Sequence, residues 1–209
     1  MNTRIKICGL RRPEDIAYVN EALPDFAGFI VDFPRSPRNV GVSVLKDLTG
    51  LLDERVVPVG VFVDHDPGVI AGLLNEGVIR AAQLHGHEDG AFIERLRALA
   101  PEAYIIQAFR IKDAADVSAA MKSRADMILL DHGQGSGKSF DWSLLEADDE
   151  NAARPYILAG GLGPENVGAA VGRLAPWGVD MSSGVETDGV KDRMKILAAV
   201  RAVRRSGRS

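Results

Sequence analysis

Residues 4–23, "RIKICGLRRPEDIAYVNEAL", hold the change of period on which the fold turns. The stretch opens as a short apolar run that stops at Cys8, and Gly9 turns the chain. From Arg11 the period changes: Pro13 stands early, and Ile16, Val19 and Leu23 recur at helical spacing. A strand has given way to a helix, and the exchange repeats. Strand-like runs return at 26–31 (FAGFIV), 58–63 (PVGVFV), 81–85 (AAQLH), 103–109 (AYIIQAF), 126–131 (DMILLD), 156–160 (YILAG) and 177–182 (WGVDMS). Most are nearly continuous in apolar residues, as strands covered on both faces are. Between them, 66–77 offers Asp66 as a helix cap, Pro67 in the first turn and Gly77 as a stop. Residues 88–101 carry Phe92, Leu96 and Leu99 toward a core and end before Pro101. Residues 163–176 and 191–205 repeat the pattern, the last through Met194, Leu197, Val200 and Val203.

Eight strand-like runs with helices between them predict an α/β fold, a closed parallel (β/α)₈ TIM barrel. No Pro/Gly/Ser-rich linker interrupts the series, so residues 1–209 are expected to form one compact domain of about 26 residues per unit, near the lower length for this architecture. An open doubly wound sheet is the alternative. Its glycine-rich turn belongs after the first strand, and "CGLRRPED" has no GxGxxG there.

With 46% hydrophobic and 26% charged residues the composition is that of an ordinary globular protein. A net charge of −4, well mixed along the chain, leaves no basic footprint for nucleic acid. The basic tail "RAVRRSGRS" reads as a helix end, where cations are favoured. One cysteine excludes an internal disulfide. "MNTRIK" is no signal peptide, and the apolar runs are too short to span a bilayer. A cytoplasmic protein without a membrane partner is expected, as monomer or homodimer.

In such barrels the C-terminal strand ends form the active face. Here the first strand ends in Cys8 and the sixth in Asp131. Gly160 and Gly161 follow the seventh, and Asp180, Ser182, Ser183 and Gly184 the eighth. The loops after strands seven and eight commonly hold a phosphate through backbone N–H groups, with glycine permitting close approach and serine adding hydroxyl donors. Tight turns needing small residues would explain either loop alone. Cys8 reads as a buried small hydrophobe or as a thiol entering the barrel mouth. Asp131, after four apolar residues, is a helix cap or a carboxyl facing that thiol as its acid–base partner. Of the histidines, His85 is placed to line the mouth after strand four and His65 sits in a capping context; His85 and His87 at i, i+2 are too few for a metal site. Trp142 and Trp177 read as core. "GQGSGKS" falls one residue short of a P-loop.

"KICGLRRPED", "SPRNV", "VGVFV", "QLHG", "LLD" with "GSGKSFDW", "LAGGLGPENV", "VDMSSGVE" and "KD" resemble, in order and from about residue 4 to 197, the phosphoribosylanthranilate isomerase family of the tryptophan pathway. The resemblance implies a cofactor-free and metal-free Amadori rearrangement of a phosphorylated small molecule, N-(5-phosphoribosyl)anthranilate. It implies Asp131 as general acid, protonating the ribose ring oxygen, and Cys8 as general base, taking the C2 proton. The base must be a thiolate, which calls for a nearby cation around Cys8. Arg38 in "SPRNV" matches the arginine that holds the anthranilate carboxylate, a task suited to a planar guanidinium; Arg35 is its local competitor. Asp180 matches an aspartate near the substrate, or else fixes the loop of Ser182 and Ser183.

The sixth loop departs from the family's Gly-Gly-Thr-Gly stretch, with Gln134, Gly135 and Ser136, and His132 beside Asp131 competes for the acid role. Two other functions stay open. The related aminoaldose isomerase of histidine synthesis resembles a two-aspartate design, against which Cys8 and Arg38 argue. A noncatalytic phospholigand-binding barrel should have lost the acid or base first.

Overall fold

The structure is a computed structural model and describes residues 3–131 and 154–206. His132, Gln134, Gly135, Ser136, Trp142 and the P-loop-like stretch, singled out in the sequence, lie outside those residues. Eight parallel strands close on themselves: β1 (Arg4–Cys8), β2 (Phe26–Val31), β3 (Val57–Phe62), β4 (Ala81–Leu84), β5 (Tyr104–Arg110), β6 (Met127–Asp131), β7 (Tyr156–Ala159) and β8 (Gly178–Met181). Each pairs with the next in chain order, and β8 returns to β1 with Lys6 opposite Asp180. The barrel is closed.

Strand periodicity divides the apolar residues into two bodies. Val59, Ala81, Ile106, Met127, Leu129 and Ile157 fill the barrel interior. The alternate residues, such as Ile5 and Ile7 on β1 or Ile128 and Leu130 on β6, pack outward against the helices. Cys8 and Asp131 fall on the inward parity of their strands, as the last residue of each.

The helices among the described residues are α1 (Pro13–Ala22), α2 (Val42–Gly50), α3 (Pro67–Asn75), α4 (Gly90–Leu99), α5 (Ala114–Met121), α6 (Val167–Leu174) and α7 (Arg193–Ser206). Asp66 caps α3 as read, accepting from the N–H groups of Gly68 and Val69 at 2.7 and 3.3 Å. Asp89 and Asp113 cap α4 and α5 in the same way. Two apolar side chains of the helical pattern face solvent and not the core. Met194 is 64% exposed, because the buried stripe of α7 centres on Ile196, Ala199, Val200 and Val203, half a turn away. Leu99 is half exposed at the margin of α4. Helices α2 and α5 bury only Leu45 and Leu48, and Val117 and Ala120, too little pattern to read in advance.

Three small elements decorate the C-terminal rim. Asn39–Val40 pairs with the end of β2, Ser183–Val185 forms one 3₁₀ turn, and Glu186–Thr187 pairs antiparallel with Val190–Lys191. No described helix is long and apolar enough to cross a membrane.

Candidate active site

Cys8 is 6% exposed at the rim of the barrel. Two residues earlier on the same inward face, Lys6 is 1% exposed, its Nζ 3.0 Å from Asp180 Oδ1 across the ladder. Burial pushes the Cys8 thiol upward, and Asp180 adds to this; Lys6 and Lys191 pull in the opposite direction, and the net direction is up. The Lys6 ammonium feels the same burial, but Asp180 and Cys8 outweigh it and hold the proton on nitrogen. The cation that a thiolate at Cys8 requires is therefore present.

Asp131 ends β6 on the inward face and stands 3.8 Å from His85 Nε2. His85 follows β4 and does line the mouth. Its Nδ1 is 2.9 Å from the side-chain amide of Gln83, a buried inward residue of β4, and its Nε2 is the ring nitrogen turned toward Asp131. Burial lowers the His85 pKa, and Asp131 only partly offsets this; Lys6 and Asp180 act on the same ring. That shared influence ties the β1–β8 pair to the β4–β6 side of one cavity mouth.

Arg38 turns inward while Arg35 lies exposed in the same loop. Its Nε and Nη2 fork onto Glu186 at 2.7 and 2.6 Å. Lys191 Nζ reaches the same carboxylate at 2.6 Å and the Ser182 carbonyl at 3.0 Å. Burial works against the charge on Glu186, but Arg38 and Lys191 prevail and hold its pKa at about 2. Gly160 and Gly161 follow β7 with φ of 98° and 66°, a turn that side chains resist. Gly184 lies under the neighbouring loop: a Cβ there would stand 2.1 Å from the Leu162 carbonyl oxygen. The loops after β7 and β8 thus touch, as the phosphate reading needs. The serine reading changes in one respect. Ser182 donates its hydroxyl to the Cys8 carbonyl at 3.1 Å, tying loop to strand, so that hydroxyl is engaged within the fold. Asp180 is held within the barrel interior by Lys6.

Comparison with known proteins decides the family. The family model for N-(5'-phosphoribosyl)anthranilate (PRA) isomerase matches residues 5–202. The chain belongs to this family. It is 42% identical over 207 residues to the N-(5'-phosphoribosyl)anthranilate isomerase of Endomicrobium trichonymphae, covering 96% of this chain and 98% of the relative. The crystal structure of the phosphoribosylanthranilate isomerase from Thermotoga maritima superposes with a TM-score of 0.86 at 34% identity, over 96% of this chain and 98% of that one. A phosphoribosylanthranilate isomerase crystallised with reduced 1-(o-carboxyphenylamino)-1-deoxyribulose 5-phosphate superposes with a TM-score of 0.84 at 33% identity, over the same shares.

Within this isomerase family framework, the residues that sequence reading overlooked are Lys6, Gln83, Glu186 and Lys191. Lys6 and Gln83 carried a usable sign: a polar residue on the inward parity of an apolar strand must find a partner inside the barrel. Glu186 carried none, since its partner Arg38 lies 148 residues away.

Proposed function

We propose that the chain catalyses the Amadori rearrangement of N-(5-phosphoribosyl)anthranilate to 1-(2-carboxyphenylamino)-1-deoxyribulose 5-phosphate, a step of tryptophan biosynthesis. The observation that carries this reading is that a thiol and a carboxyl end β1 and β6 on the inward face at one rim. Asp131 gives its proton to the ribose ring oxygen, the C1–O bond opens, and the nitrogen lone pair forms the Schiff base. The Cys8 thiolate takes the proton from C2, and the electron pair moves to give the enolamine. This tautomerises as C1 gains a proton and the C2 hydroxyl loses one. C2 is oxidised as C1 is reduced, so proton transfers suffice and the scheme asks for no cofactor or metal.

Arg38 binds the aromatic carboxylate through the guanidinium edge turned away from Glu186, whose bond to Nε and Nη2 fixes the plane of the group. Gly160, Gly161, Ser183 and Gly184, with the backbone of Ser182, receive the phosphate, and Asp180 faces the ribose beside Lys6. We place the reaction on one barrel domain spanning residues 1–209, as monomer or homodimer, in the cytoplasm, where a free catalytic thiol stays reduced.

Conversion changes the fluorescence of the anthranilate group, which gives a direct assay. Cys8→Ala and Asp131→Ala should each lower kcat by at least about a hundredfold. Unchanged turnover in either variant refutes the role of that residue. Binding of a phosphosugar by the wild-type chain without turnover would favour a noncatalytic barrel.

A further inference from the structure

Lys6 is the largest fully buried side chain among the described residues, and the reaction scheme leaves it unassigned. It lies on the inward face of β1 with Cys8, two residues on. Opposite Cys8 in the β1–β2 ladder stands Gly28, which contributes no side chain. A Cβ built there would lie 2.8 Å from the Cys8 Sγ and 3.0 Å from the Lys6 Nζ. Sulfur and ammonium therefore converge on the patch of barrel wall that Gly28 leaves bare.

We propose that Lys6 is a positioning residue that stabilises the thiolate form of Cys8 when the sulfur gives up its proton, with Asp180 fixing the ammonium in place. This rests on the reading of Cys8 as the general base.

The charges around the sulfur support it. Lys6 comes from its own strand, Lys191 from the rim hairpin and Arg38 from the loop after β2. Asp180 comes from β8, and Glu186 sits on Arg38 and Lys191. Across the mouth, Asp131 faces His85, whose burial favours the neutral ring. Three cations thus meet two carboxylates near Cys8, an excess of positive charge that a thiolate balances when it forms. Glu186 occupies Arg38 and Lys191 together, whereas Lys6 spans both Asp180 and the sulfur. Without Lys6 the burial that raises the thiol pKa would act unopposed by its nearest cation.

Cys8 is the one cysteine of the chain, so alkylation by iodoacetamide, followed by intact mass, reads it alone once a Cys8→Ser blank is subtracted. Limited access slows alkylation at every pH equally and leaves the pH midpoint unaffected. Lys6→Met should raise the midpoint by a pH unit or more, a tenfold or greater loss of rate below it, and Lys6→Arg should recover most of the loss. Asp180→Asn keeps an amide oxygen to anchor the ammonium but removes the carboxylate charge that opposes the thiolate, so it should shift the midpoint the other way. A Lys6→Met midpoint at or below the wild-type value overturns the proposal. Should that variant fail to fold, an Asp180→Asn midpoint at or above wild type overturns it instead. The pH profile of kcat/KM separates this from the function: midpoints that move while the activity profile stays fixed remove Cys8 as the base and leave the role of Lys6 intact.

Discussion

Lys6 and Asp180 stand directly opposite each other in the β1–β8 ladder, and their charged atoms meet 3.0 Å apart inside the barrel. Lys6 is sealed from water and Asp180 only 10% exposed, so the ammonium has no alternative partner in solvent and the carboxylate little. Lys6→Met should cost about 3–5 kcal/mol, because it leaves the Asp180 carboxylate buried alone. The double variant Lys6→Met/Asp180→Asn should regain at least half of that. Urea unfolding followed by circular dichroism measures both; equal losses in single and double variants would show that the carboxylate left behind carries no penalty.

Activity should climb with pH through the neutral range. The base acts as a thiolate, and burial holds the folded thiol above its ordinary value of about 8.5. Below the midpoint, kcat/KM should rise about tenfold per pH step. The stability sign is the reverse. A group whose pKa is raised on folding stabilises below its unfolded pKa, so stability should fall as pH rises past about 8.5. Rate profiles and melting curves over the same buffers check both limbs, and the second should vanish in Cys8→Ala.

Gly184→Ala tests the paired loops. The added methyl meets the Leu162 carbonyl oxygen, a backbone atom that cannot swing aside. The loops must part, at a cost of about 1–3 kcal/mol. Since they are proposed to hold the phosphate, KM should rise by tenfold or more while kcat falls less. A kcat loss with KM unchanged would separate these loops from phosphate binding.

Glu186 links stability to acid. Its pKa of about 2 lies below the usual carboxylate range, so it stabilises above an unfolded value near about 4.3 and loses this as pH falls toward about 2. Glu186→Gln should be less stable by about 2 kcal/mol at neutral pH, with the gap closing through that acid window. Denaturation at stepped pH reads the gap. A difference that persists unchanged below it would place the effect in packing and not in charge.

Arg38→Lys should spare the fold and raise KM for the carboxylate-bearing substrate about tenfold, because an ammonium cannot engage both oxygens. A substrate analogue lacking the aromatic carboxylate should bind wild type and variant alike; discrimination between them would assign Arg38 another contact.

Much of this protein is written locally. The apolar runs, the Asp66 cap, the double glycine at 160 and 161 and the strand-ending Cys8 and Asp131 each depend on a few neighbouring residues, and all are legible in order along the chain. Barrel closure then follows from their number and alternation. What spans the barrel is not legible in that way. Lys6 against Asp180, Arg38 against Glu186 and the Ser182 hydroxyl on the Cys8 carbonyl join residues roughly 150 to 175 positions apart. Period 2 puts Lys6 on the inward face, but only the register of β1 on β8 selects its partner, and only the bare wall at Gly28 brings its ammonium to the sulfur. Local propensity sets which way a side chain faces; the closed ring sets what it meets there.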